Sequence, residues 1–361
     1  YIGLPIAEVA ADGSVVVTKH QGTGGLVSIG TVTSQLLYEV GGPVYHNPDV
    51  SVDLRSVELE SCGADRVLVR TMTGIPPPKT LKLGANVGGG YRNSMTVYVP
   101  GLDVERKADM FLEALWRDLG GRGQFESVEA ELFASDRVNP STNVQAVASL
   151  RVSVRDDDPD KVGRRFSGAV VSCALASFPG FHVTTPPSPA SPYLTFWPSN
   201  ISREEVQQRV WLCTDDQPLN VYVVPTLPSP ESDVVATVMT APHCTGDSSL
   251  PTVMAPLGSV LGARSGDKGG KANCGVWVRK PEHYTWLRDF LTTEKFQRLI
   301  PETAELNVER HELPNLSALN FVIHGFLGQG VSSSIHFDPQ AKTLAEYLRA
   351  QHVPIPQQYL H

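Results

Sequence analysis

The chain has 361 residues, 41% of them hydrophobic and 19% charged, with a formal net charge of −8 from 38 acidic against 30 basic side chains. Such a composition supports two globular domains with a sizeable core and excludes wholesale disorder. The acidic balance argues against nucleic acid as the main partner, and no apolar run of about 18 residues is present to cross a membrane as a helix.

Five cysteines, Cys62, Cys173, Cys213, Cys244 and Cys274, are scattered without a CxxC pair. That spacing fits neither a zinc knuckle nor a disulfide framework and points to a reducing, cytoplasmic compartment. The chain opens Tyr-Ile-Gly-Leu-Pro, with no methionine and no signal-peptide pattern. The expectation is that an upstream portion is absent or is a separate polypeptide, and that the macromolecular partner is either that portion or a second copy in a homo-oligomer.

In chain order, Ile6–Val9 and Val15–Thr18 alternate around Asp12-Gly13 and predict a hairpin. Thr31–Val40 predicts a short helix, capped by Thr31 or Thr33 and stopped by Gly41-Gly42-Pro43. Residues 54–73 predict two strands turning at Gly63-Ala64-Asp65, Pro76–Pro78 an extended connector, and Tyr91–Val99 a strand. Ala108, Phe111, Leu112, Leu115, Trp116 and Leu119 recur at helical spacing after Asp103, and Gly120-Gly121 ends that helix. Strands follow near 123–133 and 144–154, and Asp156–Asp160 heads a helix over about 160–176.

A proline- and serine-rich crossing at 184–192 leads to a short helix at 202–210, where Ser202 and Glu205 fit a capping box. Prolines punctuate 216–255, including the β-like run Val234–Met239, and this reads as an interdomain segment. From Pro256 a compact unit begins with strands Pro256–Ala263 and Ala272–Val278, then a helix through Tyr284–Leu299. Strands at 305–311 and 317–324, a polar loop at Gly328–Ser334 and a helix over about 338–350 headed by Asp338-Pro339 complete it. Four strands and two helices fit a sheet with helices on one face. The fold class is therefore α/β to α+β: a mixed-sheet core domain at 1–215, the segment 216–255, and a smaller α+β domain at 256–361.

Two glycine-rich stretches are candidate anion sites. Lys19-His20-Gln21-Gly22-Thr23-Gly24-Gly25 feeds the first helix, where a glycine turn presents N–H donors at the positive end of the dipole. Lys19, Thr23, Gly24 and Gly25 are its binding candidates and His20 a candidate base. The second runs from Arg264 to Asn273, with Gly266, Gly269 and Gly270 letting N–H groups converge between cations. Arg264, Ser265, Lys268 and Asn273 are its binding candidates, and Asp267 is either a base or the partner that orients Arg264. Both stretches read equally as ordinary turns, since neither carries GxxxxGKS or GxGxxG. No metal site is expected: His46, Asn47, Asp49 and Asp53 look like turn chemistry, and His243-Cys244 offers too few ligands.

The run Ala263-Arg-Ser-Gly-Asp-Lys-Gly-Gly-Lys-Ala-Asn-Cys-Gly275 resembles the signature of the acyclic terpene utilisation protein A family. Gly3–Val9, Thr18–Gly25, Gln35–Glu39, Pro48–Val50, Phe178–Gly180, Trp286–Arg288, Gly330–Ser334 and Ala345–Arg349 are similar too, the last ones most like fungal members. The resemblance implies a ferredoxin-like fold for the C-terminal domain, and a long region before Gly3. It also implies a link to breakdown of branched terpenoid acids carried as coenzyme A thioesters, with lyase-type cleavage in a bacterial branch. It carries over no catalytic set residue by residue.

The leading function is an enzyme with lyase or hydratase chemistry on a branched acyl-CoA or related carboxylate. No resident cofactor is expected, the coenzyme A thioester being substrate and the partner a small anionic molecule. The alternatives are a non-catalytic binding or scaffold subunit and an enzyme of terpenoid biosynthesis. The last would need a magnesium–diphosphate motif, and Asp156–Asp160, interrupted by Pro159, suits a helix start better.

Overall fold

A computed structural model describes residues 2–134, 137–183, 185–214, 217–225 and 250–360. The run Val234–Met239 and the pair His243-Cys244 lie outside the described residues. The chain divides into two compact units, one built from 1–84, 198–328 and 340–361, the other from 85–197 and 329–339. These units do not follow the division into a 1–215 and a 256–361 domain.

In the first unit, Pro5–Val9 (β1) and Val15–Lys19 (β2) form the expected hairpin, with Gly13 at φ +84° in the turn and the Asp12 carboxylate accepting from the Ser14 N–H. Ile29–Leu36 (α1) starts two residues earlier than predicted, because Ser28 is the N-cap and forms a reciprocal capping box with Thr31. Val44–His46 (β3) and Ser51–Asp53 (β4) pair, and Glu58–Gly63 (β5) and Arg66–Arg70 (β6) turn at Asp65, which adopts φ +53°. Thr73–Ile75 (β7) joins β4, while β6 joins β2 to give the order β1-β2-β6-β5.

The second unit is a five-stranded sheet. Thr80–Pro100 (β8), continuous with the first unit at its start, is followed by Val104–Leu119 (α2), Ser127–Phe133 (β9) and Val147–Asp156 (β10). Phe166–Ser172 (α3), His182–Val183 (β11) and Ser191–Ser202 (β12) complete it. The order is β11-β8-β10-β9, with β12 also on β8. The apolar side of α2 and α3 packs on Met95, Val97, Leu150, Val152 and Val154, which alternate along β8 and β10 and so share one face. The helix expected over 160–176 forms over 159–175, with α3 flanked by a π-type turn at 161–165 and a 3₁₀ turn at 173–175. Gly163 breaks its first turn with ψ −130°, and the Asp156 carboxylate accepts from the Asp158 N–H instead of capping.

Returning to the first unit, residues 202–210 are not helical. Ser202 caps a single 3₁₀ turn, and the β-favouring Val210-Trp211-Leu212 lies in Arg209–Thr214 (β13), paired with Gln217–Val223 (β14). Thr252–Pro256 (β15), Leu261–Lys268 (β16) and Lys271–Val278 (β17) follow, then Tyr284–Phe290 (α4) and Thr293–Leu299 (α5). The single helix expected there breaks at Thr292, whose hydroxyl accepts from the Lys295 N–H and restarts it. Val308–Leu313 (β18), Ala318–Ile323 (β19), Leu344–Ala350 (α6) and His352–Pro356 (β20) close the chain. The last helix begins later than predicted, after a turn containing Ala341 at φ +51°.

The sheet β16-β17-β19-β18 is antiparallel, and helices cover both of its faces instead of one. Phe296, Leu287 and Leu348 pack on Cys274, Val276 and Phe321 on one side. On the other, Val32, Leu37 and Val40 of the α1 region meet Leu313, Leu316 and Ala318. Among the described residues no helix is long and apolar enough to cross a membrane.

Candidate functional site

The second glycine-rich stretch is regular strand rather than open turn. Arg264, Ser265, Asp267 and Lys268 all lie within β16, and only Gly269-Gly270 makes the reversal. Gly266 and Gly275 serve close packing. A Cβ on Gly266 would lie 2.7 Å from Glu39 Cγ, and one on Gly275 would lie 2.5 Å from Leu37 Cβ. The residue after α1 can therefore sit directly on the strands.

Asn273 is fully buried. Its Oδ1 accepts from the Glu39 N–H at 2.8 Å, and its Nδ2 donates to Asn320. Ser265 Oγ, also buried, accepts from the Ala345 N–H at 2.9 Å and fixes the start of α6. These two side chains, expected to bind an anion, hold helices on the sheet. Arg264 stacks over Tyr38 with 4.0 Å to the ring centroid and donates to Gln35 Oε1. Asp267 does not orient Arg264; its carboxylate lies 3.8 Å from Lys342 Nζ. Lys342 also pairs with Glu39 at 2.6 Å. Burial pushes the Glu39 carboxyl up, but the Lys342 ammonium and the Tyr38 hydroxyl outweigh it and hold it below its ordinary value. Lys268 lies 5.6 Å from the Tyr45 ring centroid.

The first glycine-rich stretch closes on itself. Lys19 Nζ donates to the Thr23 carbonyl at 2.7 Å and pairs with Asp65 at 3.4 Å, while Thr23 Oγ1 donates to the His20 carbonyl. Gly25 takes φ +84° and Gly24 and His20 are exposed. The two stretches flank α1 at its two ends. Gly25 precedes Ser28, and Gly266 touches Glu39, so an eight-residue helix of about 12 Å lies between them.

A different polar cluster lies in the second unit, on the sheet face opposite α2 and α3. Strand alternation and register set it out in rows: Glu129, Ser153 and Ser94 are cross-strand neighbours, as are Glu131, Arg151 and Thr96. Arg155 and Arg92 form the next row. The segment 330–337 lies across this face, held by guanidinium donors. Arg92 Nη1 donates to the carbonyls of Ser332 and Ser334 at 3.0 and 3.1 Å. Arg151 Nη1 donates to Ile335 O and Glu131 Oε2, both at 3.0 Å, and Arg155 Nη1 to Ser333 O at 3.2 Å. The Phe337 N–H donates to Glu131 Oε1 at 3.0 Å, which brings His336 Nδ1 to 4.0 Å from that oxygen.

A cavity of about 460 Å³ opens beside this segment, lined in part by Arg92, Arg151, Ser94, Ser153, Ser188 and His336. A guanidinium carries five donors, so each arginine retains donors beyond those used on the loop. Guanidinium and hydroxyl groups together suit a carboxylate or a developing oxyanion. On the adjoining strand, opposite the cavity-lining Ser153, Glu129 Oε2 is buried without a hydrogen-bond partner among the described residues. Burial, then the neighbouring Glu131, pushes the Glu129 carboxyl above its ordinary value against the pull of His336 and Arg151. Such a group is suited to proton transfer.

None of Arg92, Glu129, Glu131, Arg151 and His336 was selected by sequence reasoning. The available signal was Ser149-x-Arg151-x-Ser153-x-Arg155 and Glu129-x-Glu131, one strand whose polar side alternates serine with arginine and one with paired glutamates. That pattern matches a solvated face equally well.

These features define an α+β protein of mixed sheets with a cation- and hydroxyl-lined cavity. The chain belongs to the acyclic terpene utilisation family: the model of the acyclic terpene utilisation family protein AtuA matches residues 1–212, and that of the AtuA ferredoxin-like domain matches residues 255–354. Comparison with curated proteins and with solved structures found no match. The family is implicated in acyclic terpene utilisation, and the C-terminal domain is ferredoxin-like.

Proposed function

We propose that the protein is a cytoplasmic enzyme that acts on a branched acyl-CoA or related carboxylate by lyase or hydratase chemistry, with the cavity of the second unit as its site. The observation that carries this reading is the meeting of Arg92, Arg151 and the hydroxyls of Ser94 and Ser153 around one cavity, with Glu129, whose Oε2 is buried and unpartnered among the described residues, paired to Ser153 on the adjoining strand. Lyase and hydratase reactions pass through an enolate-like oxyanion, which fixed guanidinium and hydroxyl donors stabilise. They also need one group to move a proton, and in the ion-free site Glu129 or His336 fills that role, whereas an ion held by these residues would supply a bound water for it. This reading places the chemistry away from the two glycine-rich stretches, where Lys19, Ser265 and Asn273 make local hydrogen bonds.

The test is calorimetric titration of the full chain with branched 3-hydroxyacyl-CoA thioesters, together with mass-spectrometric detection of product. Expected are saturable binding, turnover, and a fall in turnover of about 100-fold or more in Glu129→Gln with binding retained. Binding without turnover would leave a non-catalytic carrier as the reading, and the absence of binding would remove the cavity assignment.

A further inference from the structure

Glu129 and Glu131 are two residues apart on β9, so both carboxylates stand on the polar face of the sheet. His336 reaches the same point from the segment laid across that face. One oxygen of each carboxylate and one imidazole nitrogen all lie within 4.8 Å of one another. Ligands about 2.0–2.2 Å from an ion stand roughly 3–3.5 Å apart, so small side-chain rotations close this set around one ion.

Charge supplies the second argument. Arg151 neutralises Glu131 at 3.0 Å, and the Phe337 N–H supports it. Glu129 forms no ion pair among the described residues and feels Arg151 and His336 only at longer range. Its strand neighbours Ser153 and Ser94 are neutral and bonded to each other, and its Oε2 is buried without a partner among the described residues. A buried carboxylate oxygen with no donor is costly and calls for either a proton or a cation.

We propose that Glu129, Glu131 and His336 bind a divalent transition-metal ion at the edge of the second unit's cavity. Two carboxylates and one imidazole suit zinc, manganese or ferrous iron, whereas calcium takes six to eight oxygens. Three protein ligands leave open positions, and His336, which also lines the cavity, directs the ion toward it. There the ion would polarise a substrate carbonyl or hydroxyl oxygen. That catalytic consequence rests on the proposed function; the binding itself does not. Local spacing in the sequence suggested no metal, because the ligands come from a strand and a distant loop.

The experiment is titration of the chelator-treated full chain, free of any acyl-CoA, with zinc ions by calorimetry and with manganese ions by electron paramagnetic resonance. Expected is one ion per chain. Affinity should fall in Glu129→Gln and in His336→Ala by more than the roughly 10–100-fold that loss of an outer-shell partner costs. His336 is 42% exposed, so its removal spares the fold, and circular dichroism on both variants checks this. Absence of saturable binding to millimolar ion, or affinity unchanged in both variants, overturns the proposal; Glu129 would then hold a proton shared with Glu131. Ion binding in a chain that turns over no thioester sinks the functional reading alone. Turnover that persists in a chain unable to bind the ion sinks only the metal's catalytic part.

Discussion

Two desolvated carboxyls of the second unit, the buried Asp156 and the half-buried Glu129, have opposite consequences for stability. Asp156 is desolvated, yet the Asp158 and Glu126 N–H groups and the Lys161 ammonium reach it, and its carboxyl is held below its ordinary value. A lowered folded-state pKa gives stability that is present above the ordinary carboxylate range and is lost as pH falls through the folded value. Asp156→Asn should therefore cost about 1–3 kcal/mol at pH 7, with the gap narrowing in acid, as read by urea denaturation at both pH values. Glu129 behaves inversely. Its raised pKa means that the folded state prefers the proton, so the penalty appears as pH rises through the window between the unfolded and folded values and stays above it. In chelator-treated protein, Glu129→Gln should match the parent's melting temperature in acid and exceed it at neutral pH; a lower melting temperature throughout would contradict the desolvation argument. Neither effect is readable from sequence, because an Asp run before a helix and a Glu on an alternating strand look the same whether or not donors converge on them.

At the scale of elements, α1 and the β16–β17 hairpin explain each other. Gly275 and Gly266 remove the side chains that would hold Leu37 and Glu39 away, and Asn273 caps the contact from below. Glycine among lysines and arginines is also how an anion cradle looks in a sequence, which is why the hairpin resembled one. What separates the readings is strand alternation on both sides of Gly269-Gly270, visible only once the pairing partner is known. Gly275→Ala should destabilise the protein by about 1–3 kcal/mol, since the new methyl meets Leu37 and the backbone behind it. Gly88→Ala, where nothing lies within 4 Å, is the matched control and should change the urea midpoint little. Equal effects from the two substitutions would show that strand propensity, not close approach, sets the cost. The short-range features of these elements were legible: the Asp12-Gly13 hairpin, the α2 stripe and the strands β5, β6, β9 and β10. Caps and helix breaks, as at Ser28 and Thr292, were less so, because several adjacent hydroxyls could serve and tertiary contacts choose among them.

For the whole molecule, order along the chain is a poor guide to what folds together. The C-terminal family domain at 255–354 was legible as an α+β unit, but its sheet has a second apolar face that its own helices leave uncovered. Leu313, Leu316 and Ala318 on that face are covered by Val32, Leu37 and Val40, more than 250 residues earlier in the chain. No local pattern reports such a pairing, since periodicity says that a face is apolar and not what meets it. The consequence is measurable. A fragment of residues 250–361 retains α4, α5 and α6 on one side but bares the face that α1 occupies, and a bare apolar face costs about 25 cal/mol per Å² exposed. Expressed alone it should unfold with a broad transition or self-associate, as judged by denaturant titration and analytical ultracentrifugation. Adding a second fragment of residues 1–225 should restore a sharp transition and a one-to-one complex, and Leu37→Ala in that second fragment, which empties a fully buried site, should weaken the recovery by about 2–5 kcal/mol. A monomeric, cooperatively folding 250–361 fragment, indifferent to its partner, would mean that α1 merely rests on a sheet already complete without it.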